Sequence, residues 1–127
     1  GNIYSNCLKV GPQLILSGMI ADDTSGDAYE QSMNCFYKIK ELVEAAGGRM
    51  EDVAKLNIYL TDMENRPAFG KARGKYFSRR MPCSTLVAIT ALAQPGALVE
   101  IEARTLIANE AKPSLQLHSL RIGTQGC

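Results

Sequence analysis

Residues Leu98–Ile107 read LVEIEARTLI, with Val99, Ile101 and Ala103 alternating against Glu100, Glu102 and Arg104. A period of two belongs to a β-strand with one face in a core and one face polar. A strand of this kind needs a sheet beside it and a layer over its apolar face. Its other face carries two carboxylates and a guanidinium, which either meet solvent or line a cleft.

The rest of the chain supplies the partners. Ile3–Val10 reads as a short mixed strand, Gly11-Pro12 as a turn and Gln13–Ser17 as a second strand, so the two form a hairpin. Gly18 directly after Ser17 predicts a bulge or a close backbone approach. Asp22–Gly26 is a loop of turn formers. In Asp27–Ala46, the residues Met33, Phe36, Tyr37, Ile39, Leu42, Val43 and Ala46 recur at three- and four-residue steps and predict a helix. Asp27 or Ser25 can cap it, Glu30 sits in its first turn, and Gly47-Gly48 ends it. Val53–Leu60 alternates again as a strand. Pro67–Arg79 is a second helix with a thin apolar face of Phe69, Ala72, Tyr76 and Phe77. Cys83–Thr90 is a strand and Ala91–Ala97 a loop before the final strand. Past Ala108 the periodicity dissolves, which predicts one domain over 1–108 and a tail over 109–127.

The order β-β-α-β-α-β-β predicts an α+β sandwich: a mixed sheet with both helices on one face. Two helices cover only one face, and Leu56, Ile58, Val87 and Ile89 cannot all share it. The second face is therefore wet or covered by another copy, and a dimer or trimer is expected.

Composition excludes several classes. The 127 residues carry a formal charge of +1 and no lysine/arginine block, so neither nucleic acid nor an anionic membrane is an expected partner. No apolar run approaches the roughly 20 residues that span a bilayer. GNIYSNC has neither the basic nor the apolar region of a secretory signal. The cysteines Cys7, Cys35, Cys83 and Cys127 form no CxxC pair, and His118 is the single histidine, so no metal site is expected. Cys35 and Cys83 read as small buried hydrophobes, and cysteines so scattered fit a reducing, cytoplasmic setting.

Several stretches together resemble the RidA/YjgF family. Tyr4-Ser5 lies thirteen residues before Ser17-Gly18, LVEAAGGRMEDVAKLNIYLTDM matches that family's helix–strand unit, and PCSTLVAI and VEIEA complete the pattern. The resemblance covers about residues 3–108. It implies the chorismate-mutase-like form of the α+β architecture, a homotrimer with clefts between subunits, and hydrolysis of reactive enamines and imines of the 2-iminobutanoate/2-iminopropanoate type. No cofactor is implied, and the partners are a small metabolite and further copies of the chain.

Position by position, the resemblance places Tyr4, Ser17 and Gly18 in the cleft and makes Glu100 the carboxylate that holds the catalytic water. It also implies an arginine two positions after the proline that opens the strand, to grip the substrate carboxylate. Here that position is Ser84, in Pro82-Cys83-Ser84-Thr85. Ser84 and Thr85 are then expected to bind ligand through hydroxyls and backbone N–H groups, and deaminase activity is expected to be weakened or lost. Arg73, Arg79 and Arg80 are the nearby cations that can substitute. A non-catalytic metabolite-binding or interaction module on the same trimer is the other reading. Without resemblance, Glu100 reads equally as a polar residue on a half-wet strand, Ser17 as a strand-end hydroxyl bonded to backbone, and Tyr4 as a packing residue.

Overall fold

A computed structural model of the chain describes residues 3–107. The predicted tail, the domain boundary at 108, His118 and Cys127 lie outside these residues. The strands are β1 (Cys7–Val10), β2 (Gln13–Leu16), β3 (Val53–Leu60), β4 (Cys83–Ala88) and β5 (Val99–Leu106); the helices are α1 (Ala28–Ala45) and α2 (Arg66–Tyr76). One five-stranded sheet has the order β1-β2-β5-β3-β4. The pair β3–β4 is parallel, with α2 as its crossover, and the other pairs are antiparallel. The last strand is thus the centre of the sheet, as its alternation required.

Register sorts the side chains. Val99, Ile101 and Ala103 of β5 are buried with Leu14, Leu16, Leu56, Ile58 and Leu60. The same cluster contains Cys35, Phe36, Ile39 and Val43 of α1 and Phe69 and Ala72 of α2, so both helices lie on one face. The opposite face is uncovered by any described residue. It carries Glu100, Glu102 and Arg104 in line with Tyr59, Asn57 and Lys55 of β3. Leu8, Val10, Ile15, Val87 and Leu106 are exposed on the same side.

Helix α1 begins where its capping chemistry dictates. The Asp27 carboxylate accepts from Glu30 N at 2.9 Å, and the Glu30 carboxylate accepts from Asp27 N at 3.0 Å. It ends on Gly47, whose φ of +92° is the left-handed conformation that closes helices.

Five local expectations need correction. The first strand starts at Cys7, because the preceding residues are held by Ser17, whose hydroxyl donates to Ser5 O at 2.6 Å. Helix α2 stops at Tyr76, because Phe77 turns extended (φ −129°) and drives its ring edge-on into Phe36 at 5.7 Å. Strand β4 stops at Ala88, although Ile89 N still donates to Leu60 O. Cys83 is exposed rather than buried, since it starts the edge strand opposite Lys55 on the uncovered face. Tyr37 is half exposed and donates its hydroxyl to Glu41, off the apolar stripe.

Candidate active site

The break between Ser17 and Met19 builds the first half of the site. On β2 and β5, Gln13 faces Leu106, Leu14 faces Thr105 and Ile15 faces Arg104. Pairing resumes at Met19 opposite Ile101. Ile15 to Met19 is four steps and Arg104 to Ile101 is three, so β2 carries one extra residue at Ser17-Gly18. Met19 N→Ile101 O (2.7 Å) and Ile101 N→Met19 O (3.1 Å) re-close the ladder. The bulge presents Gly18 to the side chain of Glu100. A Cβ at Gly18 would lie 2.7 Å from Glu100 Cδ and 2.9 Å from Cγ and Oε1. The sequence expectations of a bulge and of a close approach therefore both hold.

That contact makes a prediction. Gly18→Ala should fold, because the atoms it meets belong to one flexible side chain, but it should push the Glu100 carboxylate out of place. Melting temperature is expected to change by only a few degrees, while any turnover that depends on Glu100 falls by about tenfold or more. Unchanged turnover with a normal melt would show that Glu100's position is irrelevant.

Two carboxylates on one strand face are differentiated by their partners. Glu102 Oε1 accepts from Tyr59 Oη at 2.7 Å and from Asn57 Nδ2 at 3.1 Å. The bond to Glu102 pushes the Tyr59 phenol above its ordinary range. Glu100 has no hydrogen-bond donor among the described residues. Burial raises its pKa, and the neighbouring Glu102 charge raises it further. A carboxylate with vacant lone pairs and raised basicity can hold a water and take its proton.

The sequence reading had no role for Gln31, yet it positions Glu100. Gln31 is buried on α1. Its Nε2 donates to Thr24 O, Gly26 O and Gly96 O, and its Oε1 accepts from Leu98 N at 2.9 Å. One amide thus ties the 22–26 loop to the start of β5, two residues before Glu100. A lone glutamine within an apolar helical stripe was the available signal.

The other predicted site residues are distributed as follows. Ser17 spends its hydroxyl on Ser5 O, the strand-end role, and so anchors the segment that bears Tyr4. Tyr4 itself is 65% exposed. Thr85 points to the uncovered face, where Lys55 Nζ donates to its Oγ1 at 2.7 Å. Ser84 points the opposite way, onto the helix-covered face with its partner Leu56. The two neighbouring hydroxyls therefore cannot serve one cleft of one subunit. Ser84 is reached instead by α2: Arg73 Nη1 donates to Ser84 Oγ at 3.2 Å. Glu100 lies in the row Glu100–Tyr59–Val87, whereas Ser84 lies in the row Ala103–Leu56–Ser84. Three residues along and two strands across separate their backbones by roughly 14 Å, on opposite faces of the sheet.

The remaining candidates fall away from this arrangement. Arg80 Nε and Nη2 both donate to Glu51 O, which ties the segment between α2 and β4 to the turn before β3. Arg79 is exposed at a hollow shared with Glu51, Tyr76 and Phe77. The Cys35 thiol is pushed up to about 12 by burial, so it stays protonated. Among the described residues no three histidine, cysteine or acidic side chains converge on a metal position, and no helix is long and apolar enough to cross a membrane.

Comparison with known proteins identifies the setting. Residues 2–107 match the family described as Endoribonuclease L-PSP. The RutC family protein PH0854 of Pyrococcus horikoshii is 32% identical over 106 residues, covering 79% of this chain and 83% of that protein. A protein of Dermatophagoides farinae named 2-iminobutanoate/2-iminopropanoate deaminase is 30% identical over 110 residues, covering 82% and 85%. Among solved structures, Rv2704 of Mycobacterium tuberculosis, described as a member of the YjgF/YER057c/UK114 family, superposes with a TM-score of 0.77 at 30% identity, covering 82% of this chain and 86% of that one. RidA from an Antarctic Psychrobacter gives a TM-score of 0.77 at 32% identity, covering 84% and 89%. With its bulge, its mixed sheet and 106 matched positions from 2 to 107, the chain belongs to the RidA/YjgF family, the Endoribonuclease L-PSP family of sequence classification.

Proposed function

We propose that the chain hydrolyses small 2-imino acids, or their enamine tautomers, in clefts between the subunits of a homotrimer. The observation that carries this is Glu100: a half-buried carboxylate of raised basicity, with no hydrogen-bond donor among the described residues, seated against the bulge at Gly18. In this reading Glu100 takes a proton from water as the water oxygen adds to the carbon of the C=N bond. Glu100 returns that proton to the imine nitrogen to give a carbinolamine, whose hydroxyl proton passes to nitrogen as the C–N bond breaks, releasing ammonia and leaving a 2-oxo acid. The relative named 2-iminobutanoate/2-iminopropanoate deaminase supports this substrate class.

The same geometry supports a trimer. The exposed Leu8, Val10, Ile15, Val87 and Leu106 give the uncovered face apolar area to bury. The ~14 Å between the Glu100 and Ser84 backbones is more than a four-carbon metabolite spans, so a site using both draws on two copies. The near-neutral charge gives no electrostatic footprint for RNA, and the free Cys7, Cys35 and Cys83 suit a reducing cytoplasm.

Ser84 favours a second reading, a cleft that binds a metabolite without turning it over. One experiment separates the two. 2-Iminobutanoate is generated from threonine by a pyridoxal-phosphate dehydratase, and its decay is followed by stopped flow with the protein added. Faster decay, from a species that scatters light as three chains, is expected. Decay at the uncatalysed rate would leave the binding reading, and a stable monomer at micromolar concentration would remove the shared cleft.

A further inference from the structure

We propose that Arg73, seated on Ser84, is the carboxylate anchor of this protein's ligand. The inference rests on the cleft proposed above and assigns its anionic subsite to helix α2 rather than to strand β4.

Arg73 differs from the other described arginines. Arg49, Arg66, Arg79, Arg80 and Arg104 are exposed, whereas Arg73 is half-buried. Its guanidinium lies over the Phe69 ring, 5.2 Å from the centroid, and Nη1 donates to Ser84 Oγ. Stacking and that bond fix the planar group in one orientation. Yet no carboxylate of the described residues pairs with it; the ion pairs there are Lys38–Asp22 and Arg49–Glu51. A partly desolvated guanidinium, held in place with four of its five N–H groups unused by described residues, is a receptor for an oxyanion.

There is room for one. Gly70 lies one turn before Arg73 on the same side of α2, and a Cβ added there would meet nothing within 4 Å. Ser84 completes the recognition. Its oxygen accepts from Arg73, which leaves its own O–H free to donate to the same oxyanion. A planar fork plus one hydroxyl fits a carboxylate, two oxygens in a plane, and a small 2-oxo or 2-imino acid carries one.

The probe is 2-oxobutanoate, titrated calorimetrically into the intact oligomer, with the neutral 2-oxobutanamide as control. Wild type should bind the acid and discriminate against the amide. Arg73→Ala should weaken acid binding by about tenfold or more, because a charge-assisted fork is lost, and should leave the amide unchanged. Arg73→Lys keeps the stem and the charge, guarding against a folding defect, and should recover only part of the affinity. Arg79→Ala should bind as wild type. Acid binding that is unaltered in both Arg73 variants, or wild type that fails to prefer the acid, overturns the assignment. Glu100→Gln separates it from the catalytic reading: that variant should retain Arg73-dependent binding whether or not wild type turns over imines.

Discussion

Glu100→Gln is expected to abolish imine hydrolysis while leaving the protein folded and assembled. The amide keeps the shape that fits against Gly18 but cannot accept a proton from water. Removing a general base of this kind costs about 10²–10⁴ in rate. Stability should hold or rise. A carboxyl whose pKa is raised in the folded state binds its proton more tightly there than in the unfolded chain. Its contribution to stability therefore falls as pH climbs from the ordinary carboxylate value through the raised one, and above that window the charge opposes folding. Glutamine removes that opposition. The same shift fixes the pH profile: the acid limb of turnover should lie above the ordinary carboxylate range. Glu102→Gln, which removes the neighbouring negative charge, should move that limb to lower pH. Stopped-flow rates across pH, paired with thermal melts, check both signs. A Glu100→Gln protein with wild-type turnover would show that another group activates the water.

Phe36→Ala is expected to be the most damaging single change to the fold. Phe36 is completely buried on α1. Its ring lies 5.8 Å from Phe69, 5.4 Å from Tyr76 and 5.7 Å from Phe77, so three α2-side rings close on it. Truncation removes the ring from the α1–α2 junction and leaves a cavity that helices fixed on a sheet cannot fully collapse, a loss of about 3–5 kcal/mol. Against the roughly 5–15 kcal/mol that a domain of this size holds in reserve, that is a large share. Urea unfolding should show a much lower midpoint with little change in slope. A shift below about 1 kcal/mol would mean that α2 is held elsewhere.

Much of this architecture is legible in the chain because it rests on short-range periods. The alternation of Val99 to Arg104 places β5 and its charged face, and the spacing of Phe36, Ile39 and Val43 places α1. Gly18 beside Ser17 announces a bulge, and its missing Cβ leaves the space that the Glu100 side chain occupies. Contacts between distant segments have no such period. Arg73 meets Ser84 only because α2 and β4 are brought together by the parallel crossover after β3. Gln31 is satisfied by carbonyls up to 65 residues away. Phe77 leaves the helix because a ring cluster needs it, against the local pattern that extends α2 to Arg79. The opposed directions of Ser84 and Thr85 do follow from strand alternation. Proximity to a common cleft in sequence does not override that geometry.

The most direct test of a site shared between subunits is complementation. Glu100→Gln and Arg73→Ala chains, each inactive or impaired alone, are co-expressed with different tags, and oligomers carrying both tags are purified. If Glu100 of one copy works with Arg73 of its neighbour, some clefts in the mixed oligomer combine two intact halves. Imine hydrolysis should then return to about a third of the wild-type rate, because every trimer carrying both tags holds one fully intact cleft of three. If both residues serve the same subunit's site, every cleft carries one defect, and mixed oligomers no more active than their parents would contradict the shared site.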